Sequence, residues 1–236
     1  MDAGTVEAID ARLSEVERVH GVSIALAIES GSRAWGFPSP DSDYDCRFVY
    51  VRPPEHYMTL FPRRDVIETP LTEVFDVNGW DIAKALKLLL AGNAVIVEWL
   101  TSPIVYRADA SFRDSFLQLA GMTADRNVIA QHYLHLGRNI LTTRLGNLDD
   151  VPVKKLFYAL RPAIALRWMR LHPDERLPPM HFPTLCVQAD LGHDLDACIQ
   201  DLLARKAVTR ELGRGPMPDM IRNAILSEFV AADAAF

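Results

Sequence analysis

The 236 residues suffice for one large domain or two smaller ones, and 49% apolar and 24% charged residues are ordinary for a globular chain, which argues against disorder. The net charge of −6 argues against broad, nonspecific nucleic-acid binding, although it leaves room for a local basic groove. The apolar clusters are too short to cross a bilayer and the amino terminus lacks a signal-peptide core, so we expect a cytoplasmic protein without a membrane partner. The three widely spaced cysteines predict buried thiols rather than disulfides or a zinc site.

The first predicted elements are a helix and two strands. Apolar side chains recur at near-helical spacing over residues 5–19, which predicts an amphipathic helix. The apolar run over residues 23–29 predicts a strand that ends just before Gly31, where a glycine permits a tight turn. A second β-rich run starts at Tyr44 and stops before Pro53, because proline interrupts a sheet ladder.

Two aspartates stand at the start of the second predicted strand. Asp43 and Asp45 are two residues apart, so both carboxylates fall on one face if they begin that strand. Their mutual repulsion favours a cation between them, and Mg²⁺ is the natural candidate because it prefers oxygen ligands. The alternative is a solvated turn in which Asp41, Ser42 and Asp43 end a loop.

The arrangement of strand, Gly31-Ser32, loop and Asp43-Tyr44-Asp45 opening a strand resembles the DNA polymerase β-like nucleotidyltransferases. That resemblance implies that the Gly31-Ser32 turn leads into a short helix that holds nucleotide phosphates, with Arg33 placed to reach one of them. It also implies that the paired aspartates hold metal ions together with a third carboxylate on a neighbouring strand.

The third carboxylate has two candidates. Residues 65–68 and 72–77 are predicted to form the two strands of a hairpin, and Asp76 lies near the end of the second. A helix is predicted over residues 79–90, with Asp81 in its first turn, where it can also serve as a cap. Asp76 is favoured over Asp81, because a strand residue can lie beside Asp43 and Asp45 across a ladder.

Segments later in the chain make the resemblance more specific: the sequence resembles the bacterial and phage RNA-repair-associated polymerase β-like nucleotidyltransferases over most of its length. The segments that carry it are Gly79-Trp80-Asp81, Lys84-Ala85-Leu86, Gly92-Asn93, Glu98-Trp99-Leu100, Ser102 to Tyr106 and Lys154 to Pro162. It implies a nucleotidyl-transfer site more firmly than it implies an RNA substrate.

The second half of the chain is predicted to be helical. Helical patterns cover residues 108–119, 125–145, 153–171, 194–209 and 218–231, with a proline-rich loop over residues 173–183. The fold predicted is therefore α+β, a polymerase β-like mixed sheet with flanking helices followed by an all-helical C-terminal domain. We place the catalytic domain at 1–107 and the helical domain at 108–236.

A basic group lies on the helix predicted over residues 153–171. Lys154, Lys155, Tyr158 and Arg161 are spaced so that several of them share one helical face. The resemblance implies that such residues bind the nucleoside triphosphate. A solvated charged face with Tyr158 half-buried is an equal alternative, although Arg161 would need a partner if it were buried.

The mechanism implied is in-line transfer of a nucleoside monophosphate from a nucleoside triphosphate such as ATP, with release of pyrophosphate. Gly31 and Ser32 would position phosphates, while Asp43, Asp45 and Asp76 would hold Mg²⁺ or Mn²⁺, and Asp76 would help to deprotonate the attacking hydroxyl. The acceptor is open among an RNA end, a protein hydroxyl and a small molecule, with RNA ahead. A catalytically silent nucleotide-binding or interaction module is the alternative outside catalysis.

Overall fold

The computed structural model describes residues 2–61, 63–209 and 213–236. They form two compact units, and the chain passes between these several times. The first unit comprises residues 2–34, Ser42–Ala91 and Val95–Thr123, and the second comprises Trp35–Asp41, Gly92–Ala94 and the chain from Ala124 onward. The predicted domain boundary at residue 107 stays a prediction.

The first unit contains a sheet and its flanking helices. In chain order its elements are α1 (Ala3–His20), β1 (Ser23–Ser30), α2 (Gly31–Ala34), β2 (Tyr44–Val51), β3 (Val66–Glu68), β4 (Phe75–Asp81), α3 (Ile82–Leu90), α4 (Ala94–Thr101, whose first residue belongs to the second unit), β5 (Val105–Ala108) and α5 (Ala110–Thr123).

The sheet is mixed, with the strand order β3-β4-β2-β1-β5. β2 and β4 are parallel, whereas the other three pairings are antiparallel. Helix α1 buries Ile9, Leu13 and Val16 in a core that also contains Phe48 and Tyr50 of β2. Each large apolar side chain buried in this way contributes about 2 kcal/mol. The core therefore holds β2, whose second residue is Asp45 and which Asp43 directly precedes, in the centre of the sheet.

The start of α3 differs from the prediction. The helix was predicted from residue 79, but β4 continues through Asp81 because Gly79 and Trp80 pair with Ile67 and Val66 of β3. The Asp81 carboxylate then caps α3 by accepting a hydrogen bond from the Ala83 amide at 2.9 Å. β3 and β4 are antiparallel neighbours, as the predicted hairpin requires, but the residues of β4 that pair with β3 are Asn78 to Trp80, beyond the predicted end of the second strand at residue 77.

The second unit is built mainly of helices. Its elements are α6 (Arg126–Ile140), β6 (Val151–Pro152), α7 (Leu156–Leu171), α8 (Phe182–Gln188), α9 (His193–Val208), β7 (Arg214–Gly215) and α10 (Asp219–Ala235). Helices α6, α7 and α10 pack against one another.

Two features of this unit differ from the elements that the sequence predicts for it. Helix α8 lies partly in a segment predicted as a loop, because Pro183 occupies its first turn, where proline costs no hydrogen bond. β6 and β7 form a two-residue antiparallel pair. The α+β class, the mixed sheet with flanking helices and the largely helical C-terminal part are confirmed. Over the described ranges, no helix is long and apolar enough to cross a membrane.

Candidate active site

The turn at Gly31 connects β1 to α2. Gly31 has a φ of +65°, a conformation that side chains disfavour. A Cβ at this position would lie 2.0 Å from Oδ2 of Asp45, so the Asp45 carboxylate rests against the bare backbone of the turn. Glycine is therefore required here both by its dihedral angle and by the close approach of Asp45.

Strand pairing brings two of the predicted aspartates together. Asp45 lies opposite Ser30 of β1 on one side and opposite Asp76 of β4 on the other. Opposed residues of neighbouring strands project to the same face of a sheet, so the two carboxylates are neighbours. Asp43 is exposed and precedes Asp45 by two residues. The predicted site is thus assembled from the starts of β2 and β4, beside the Gly31 turn.

Arg47 supplies a positive charge to both carboxylates. It follows Asp45 by two residues and projects to the same face of β2. Its Nη2 donates to Oδ1 of Asp45 at 3.0 Å and to Oδ2 of Asp76 at 2.7 Å. Its Nη1 donates to the main-chain carbonyl of Asp76 at 2.8 Å, and Asn78 donates to Oδ1 of Asp76 at 3.2 Å. Asp45 is therefore held by a donor from its own strand, and Asp76 is held by donors from both β2 and β4.

The negative charges of Asp43 and Asp76 act on the Asp45 carboxyl. Burial raises the pKa of the Asp45 carboxyl, and the negative charges of Asp43 and Asp76 raise it as well, whereas the Arg47 guanidinium lowers it. Additional positive charge near Asp45 would relieve this repulsion.

Glu29 forms a buried hydrogen bond with the main chain of Asp45. Its carboxylate is fully buried and accepts hydrogen bonds from the Asp45 amide at 3.0 Å and from the Tyr106 hydroxyl. Burial raises the pKa of Glu29 to about 7, and these two hydrogen bonds oppose the rise. Burial likewise raises the pKa of Tyr106. Sequence reasoning assigned no role to Glu29, although an acidic residue that ends an apolar strand is a recognisable signal.

Ser32 and Arg33 hold the loop that precedes β2. The Ser32 hydroxyl donates to the Ser42 hydroxyl at 3.0 Å. Arg33 donates to the main-chain carbonyls of Ser42 at 2.5 Å and Asp43 at 3.0 Å, and its guanidinium lies 3.8 Å from the centre of the Tyr44 ring. Arg33 therefore fixes the conformation of the loop that leads into Asp43 and Asp45. Its predicted contact with a phosphate stays a prediction.

Asp81 lies at the opposite end of β4 from Asp76. It is opposite Tyr50, five residues along β2 from Asp45, which at the usual rise corresponds to about 16 Å. Its carboxylate caps α3 and lies 3.5 Å from Nε of Arg52. The structure therefore brings Asp76, and not Asp81, beside Asp45.

The donor chemistry of Asp43, Asp45 and Asp76 suits Mg²⁺ or Mn²⁺, since all three offer only carboxylate oxygens. Within residues 2–61, 63–209 and 213–236, no three acidic, imidazole or thiol side chains are arranged closely enough to form a metal site as they stand. The cation between two of the carboxylates is instead Arg47. The carboxylates fit the ion in kind, and metal dependence stays a prediction.

Three of the four predicted nucleotide-binding residues of α7 and the turn before it contact the segment Trp35–Asp41 within the second unit. Lys154 Nζ lies 2.9 Å from each oxygen of Asp41, and the Tyr158 ring meets the Trp35 ring edge-on at 5.6 Å. Arg161 is buried, with its guanidinium 4.3 Å from the Trp35 ring centre, whereas Lys155 is exposed. Their role in nucleotide binding stays a prediction.

Comparisons with known proteins identify relatives along most of the chain. A family model described as the RNA repair pathway DNA polymerase beta family matches residues 6–236. The uncharacterized protein YcgL of Bacillus subtilis (strain 168) is 38% identical over 216 residues, which cover 92% of this chain and 82% of YcgL. The crystal structure of a nucleotidyltransferase-like protein from Exiguobacterium sibiricum 255-15 is 10% identical, with 98% of this chain and 73% of that chain covered and a TM-score of 0.33. A TM-score this low supports no comparison of sites.

Proposed function

Because the chain belongs to the RNA repair pathway DNA polymerase beta family, we propose that it moves a nucleoside monophosphate from a nucleoside triphosphate to a hydroxyl of an RNA end. The family suggests nucleotidyltransferase activity in an RNA repair pathway. The observation that carries the proposal is the adjacency of Asp45 and Asp76 at the starts of two parallel strands, beside the Gly31 turn.

The triphosphate is proposed to lie against the Gly31-Ser32 turn. The Ser32 hydroxyl offers a hydrogen-bonding group to a phosphate there, beside the Asp45 carboxylate that rests against Gly31. The attacking hydroxyl oxygen forms a bond to the α-phosphorus, and the bond from that phosphorus to the oxygen bridging it to the β-phosphorus breaks. Pyrophosphate leaves, and the hydroxyl proton passes to the Asp76 carboxylate.

Asp43, Asp45 and Asp76 are proposed to hold Mg²⁺, or Mn²⁺ in its place. When bound, the ion would neutralise charge on the phosphates and orient them. The repulsion that Asp43 and Asp76 exert on Asp45 supports this assignment, because a cation relieves it. Arg47 and Asn78 orient the Asp76 carboxylate, and Glu29 fixes the main chain of Asp45. These residues supply positioning, which dominates catalysis of phosphoryl transfer.

The test measures transfer of label from each α-labelled nucleoside triphosphate to RNA, in the presence of Mg²⁺. We expect the wild type to label RNA, and we expect periodate oxidation of the RNA 3′ end to prevent it. Asp45→Asn should reduce the rate by about 100-fold or more. Asp114→Asn is the matched control, because Asp114 is an exposed aspartate on α5 of the same unit.

Full activity of a folded Asp45→Asn variant would contradict the assigned role. Label that appears in protein or in small molecules, with none in RNA, would retain the reaction and replace the acceptor. Binding of nucleotide without transfer to any fraction would favour the catalytically silent module.

A further inference from the structure

A basic cavity of about 250 Å³ lies in the first unit, at the opposite ends of β2 and β4 from the paired carboxylates. Five cationic side chains line it, against two carboxylates, in a chain whose net charge is −6. The five are Arg52, Arg63, Arg64, Lys84 and Lys87. This concentration of positive charge against the balance of the whole chain points to an anionic ligand.

The cations of the cavity differ in how far they are neutralised. Arg52 lies near Asp81, Lys84 pairs with Asp65, and Arg64 pairs with Glu68. Arg63 and Lys87 are both exposed and form no ion pair with any residue that the structure describes. Two positive charges at this cavity are thus available to an incoming anion.

A further group at the cavity suits a phosphate, whereas the Tyr57 and Thr59 hydroxyls that also line it already donate to Asp81 and to the main-chain carbonyl of Phe61. Nδ1 of His56 is buried and has no hydrogen-bond partner within the described part of the chain. A phosphate oxygen would provide such a partner, because a buried polar atom without one is costly.

The loop beside the cavity exposes apolar side chains next to these cations. Phe61 is 85% exposed and Leu60 is 95% exposed, and Thr59 and Arg63 on either side line the cavity. An exposed aromatic ring beside a basic groove is the arrangement that stacks a base of a single strand while its backbone is neutralised. Sequence reasoning identified no such module, because the basic residues of α3 are brought to this loop only by folding.

We propose that this cavity binds a backbone phosphate of single-stranded RNA, with Phe61 stacking on an adjacent base. The proposal rests on the proposed function, in which RNA is the acceptor, and gives that acceptor a second contact about 16 Å along the strands from the carboxylates. Cations that converge on a concave site favour a phosphodiester over a flat lipid surface.

The test measures binding of a labelled single-stranded RNA oligonucleotide by fluorescence anisotropy at several salt concentrations. Arg63→Gln/Lys87→Gln should weaken binding at least about tenfold and reduce the slope of log K against log salt by about 0.7, which is the contribution of the one single-strand phosphate that the cavity is proposed to bind. The control pair Arg18→Gln/Arg144→Gln removes the same charge at exposed positions elsewhere and should change neither.

Two further variants separate stacking from membrane insertion. Phe61→Leu should weaken RNA binding about tenfold, because it removes the ring and keeps the apolar surface, whereas Leu60→Ala should not. Insertion into vesicles of phosphatidylserine and phosphatidylcholine would instead be weakened by Leu60→Ala and tolerate Phe61→Leu. Binding to such vesicles without binding to RNA would overturn the proposal.

An equal loss of RNA affinity in Arg63→Gln/Lys87→Gln and in the control Arg18→Gln/Arg144→Gln would also overturn the proposal. So would the absence of RNA binding by the wild type. The binding assay does not depend on catalysis. A loss of RNA binding in Arg63→Gln/Lys87→Gln would therefore support the cavity even if the wild type transferred no nucleotide, and this separates failure of the cavity from failure of the proposed transferase.

Discussion

Asp45 and Asp76 lie opposite one another in the parallel pairing of β2 with β4, and one nitrogen of Arg47 donates to both carboxylates. The pairing joins residues from separate segments of the chain into one acidic site that already contains a positive charge. Any cation that binds there meets the Arg47 guanidinium, and the surrounding contacts determine how each carboxylate responds to substitution.

Asp76 and Asp81 are expected to respond differently to removal of the carboxylate. Asp76→Ala should lower kcat about 100-fold, because Asp76 lies beside Asp45. Asp81→Ala should lower the free energy of unfolding by about 1 kcal/mol through loss of the α3 cap, and lower kcat less than tenfold at saturating RNA. Steady-state kinetics and urea denaturation measure the two effects. An equal loss of kcat in a folded Asp81→Ala variant would transfer the role to Asp81.

Gly31→Ala should disrupt the site more than it disrupts the fold. The new Cβ would lie 2.0 Å from the Asp45 carboxylate, so that carboxylate must move. Gly21→Ala is the matched control, because Gly21 of the same unit has a left-handed φ of +60° and a Cβ there would have no neighbour within 4 Å. Both variants should lose about 1 kcal/mol of stability from the left-handed backbone. Only Gly31→Ala should also lose nucleotidyl transfer, and wild-type transfer by that variant would argue against close contact between the turn and Asp45.

Arg47→Met should make stability depend on divalent cations. Without the guanidinium, the Asp45 and Asp76 carboxylates repel each other, and about 3 kcal/mol of unfolding free energy should be lost in EDTA. Mg²⁺ should restore part of this loss, which thermal unfolding with and without the ion would measure. Arg113→Met is the control, since Arg113 donates only to main-chain carbonyls of Leu100 and Ser102 within the described residues. Its stability should fall without any response to Mg²⁺.

Lys206 should make the second unit more stable as the pH rises. Burial lowers its pKa to about 8 from an ordinary 10.5, and repulsion from Lys154 adds to this while Asp41 opposes it. Between these values only the unfolded chain holds the proton, so raising the pH favours the folded state.

The comparison with Lys206→Met isolates this effect. Below pH 8 both states of the wild type are protonated, and the difference in unfolding free energy between wild type and variant should be constant. Between about pH 8 and 10.5 the difference should shift in favour of the wild type, because groups common to both chains cancel. Urea denaturation at intervals of pH measures it, and a difference that does not change up to pH 10.5 would show that Lys206 titrates normally.

Local patterns in the sequence were enough to predict much of the first unit. The period of apolar residues identified α1, β1 and β2, and the dyad of Asp43 and Asp45 marked where the site should lie, because these signals arise within a few consecutive residues. The predicted end of β4 at residue 77 was wrong. The strand continues through Gly79 and Trp80 because these residues pair with β3, and this pairing outweighs their helix propensity.

By itself, the sequence determined the α+β class, the family and the segments that supply the aspartates, since each of these can be recognised from the types of residues that lie close together along the chain. Only the tertiary structure decided that Asp76 rather than Asp81 lies beside Asp45, that Glu29 and Arg47 hold the pair, and that cations from the loop before β3 and from α3 converge on one cavity. The physical reason is strand register and loop closure, which bring distant residues together through contacts that no local pattern specifies.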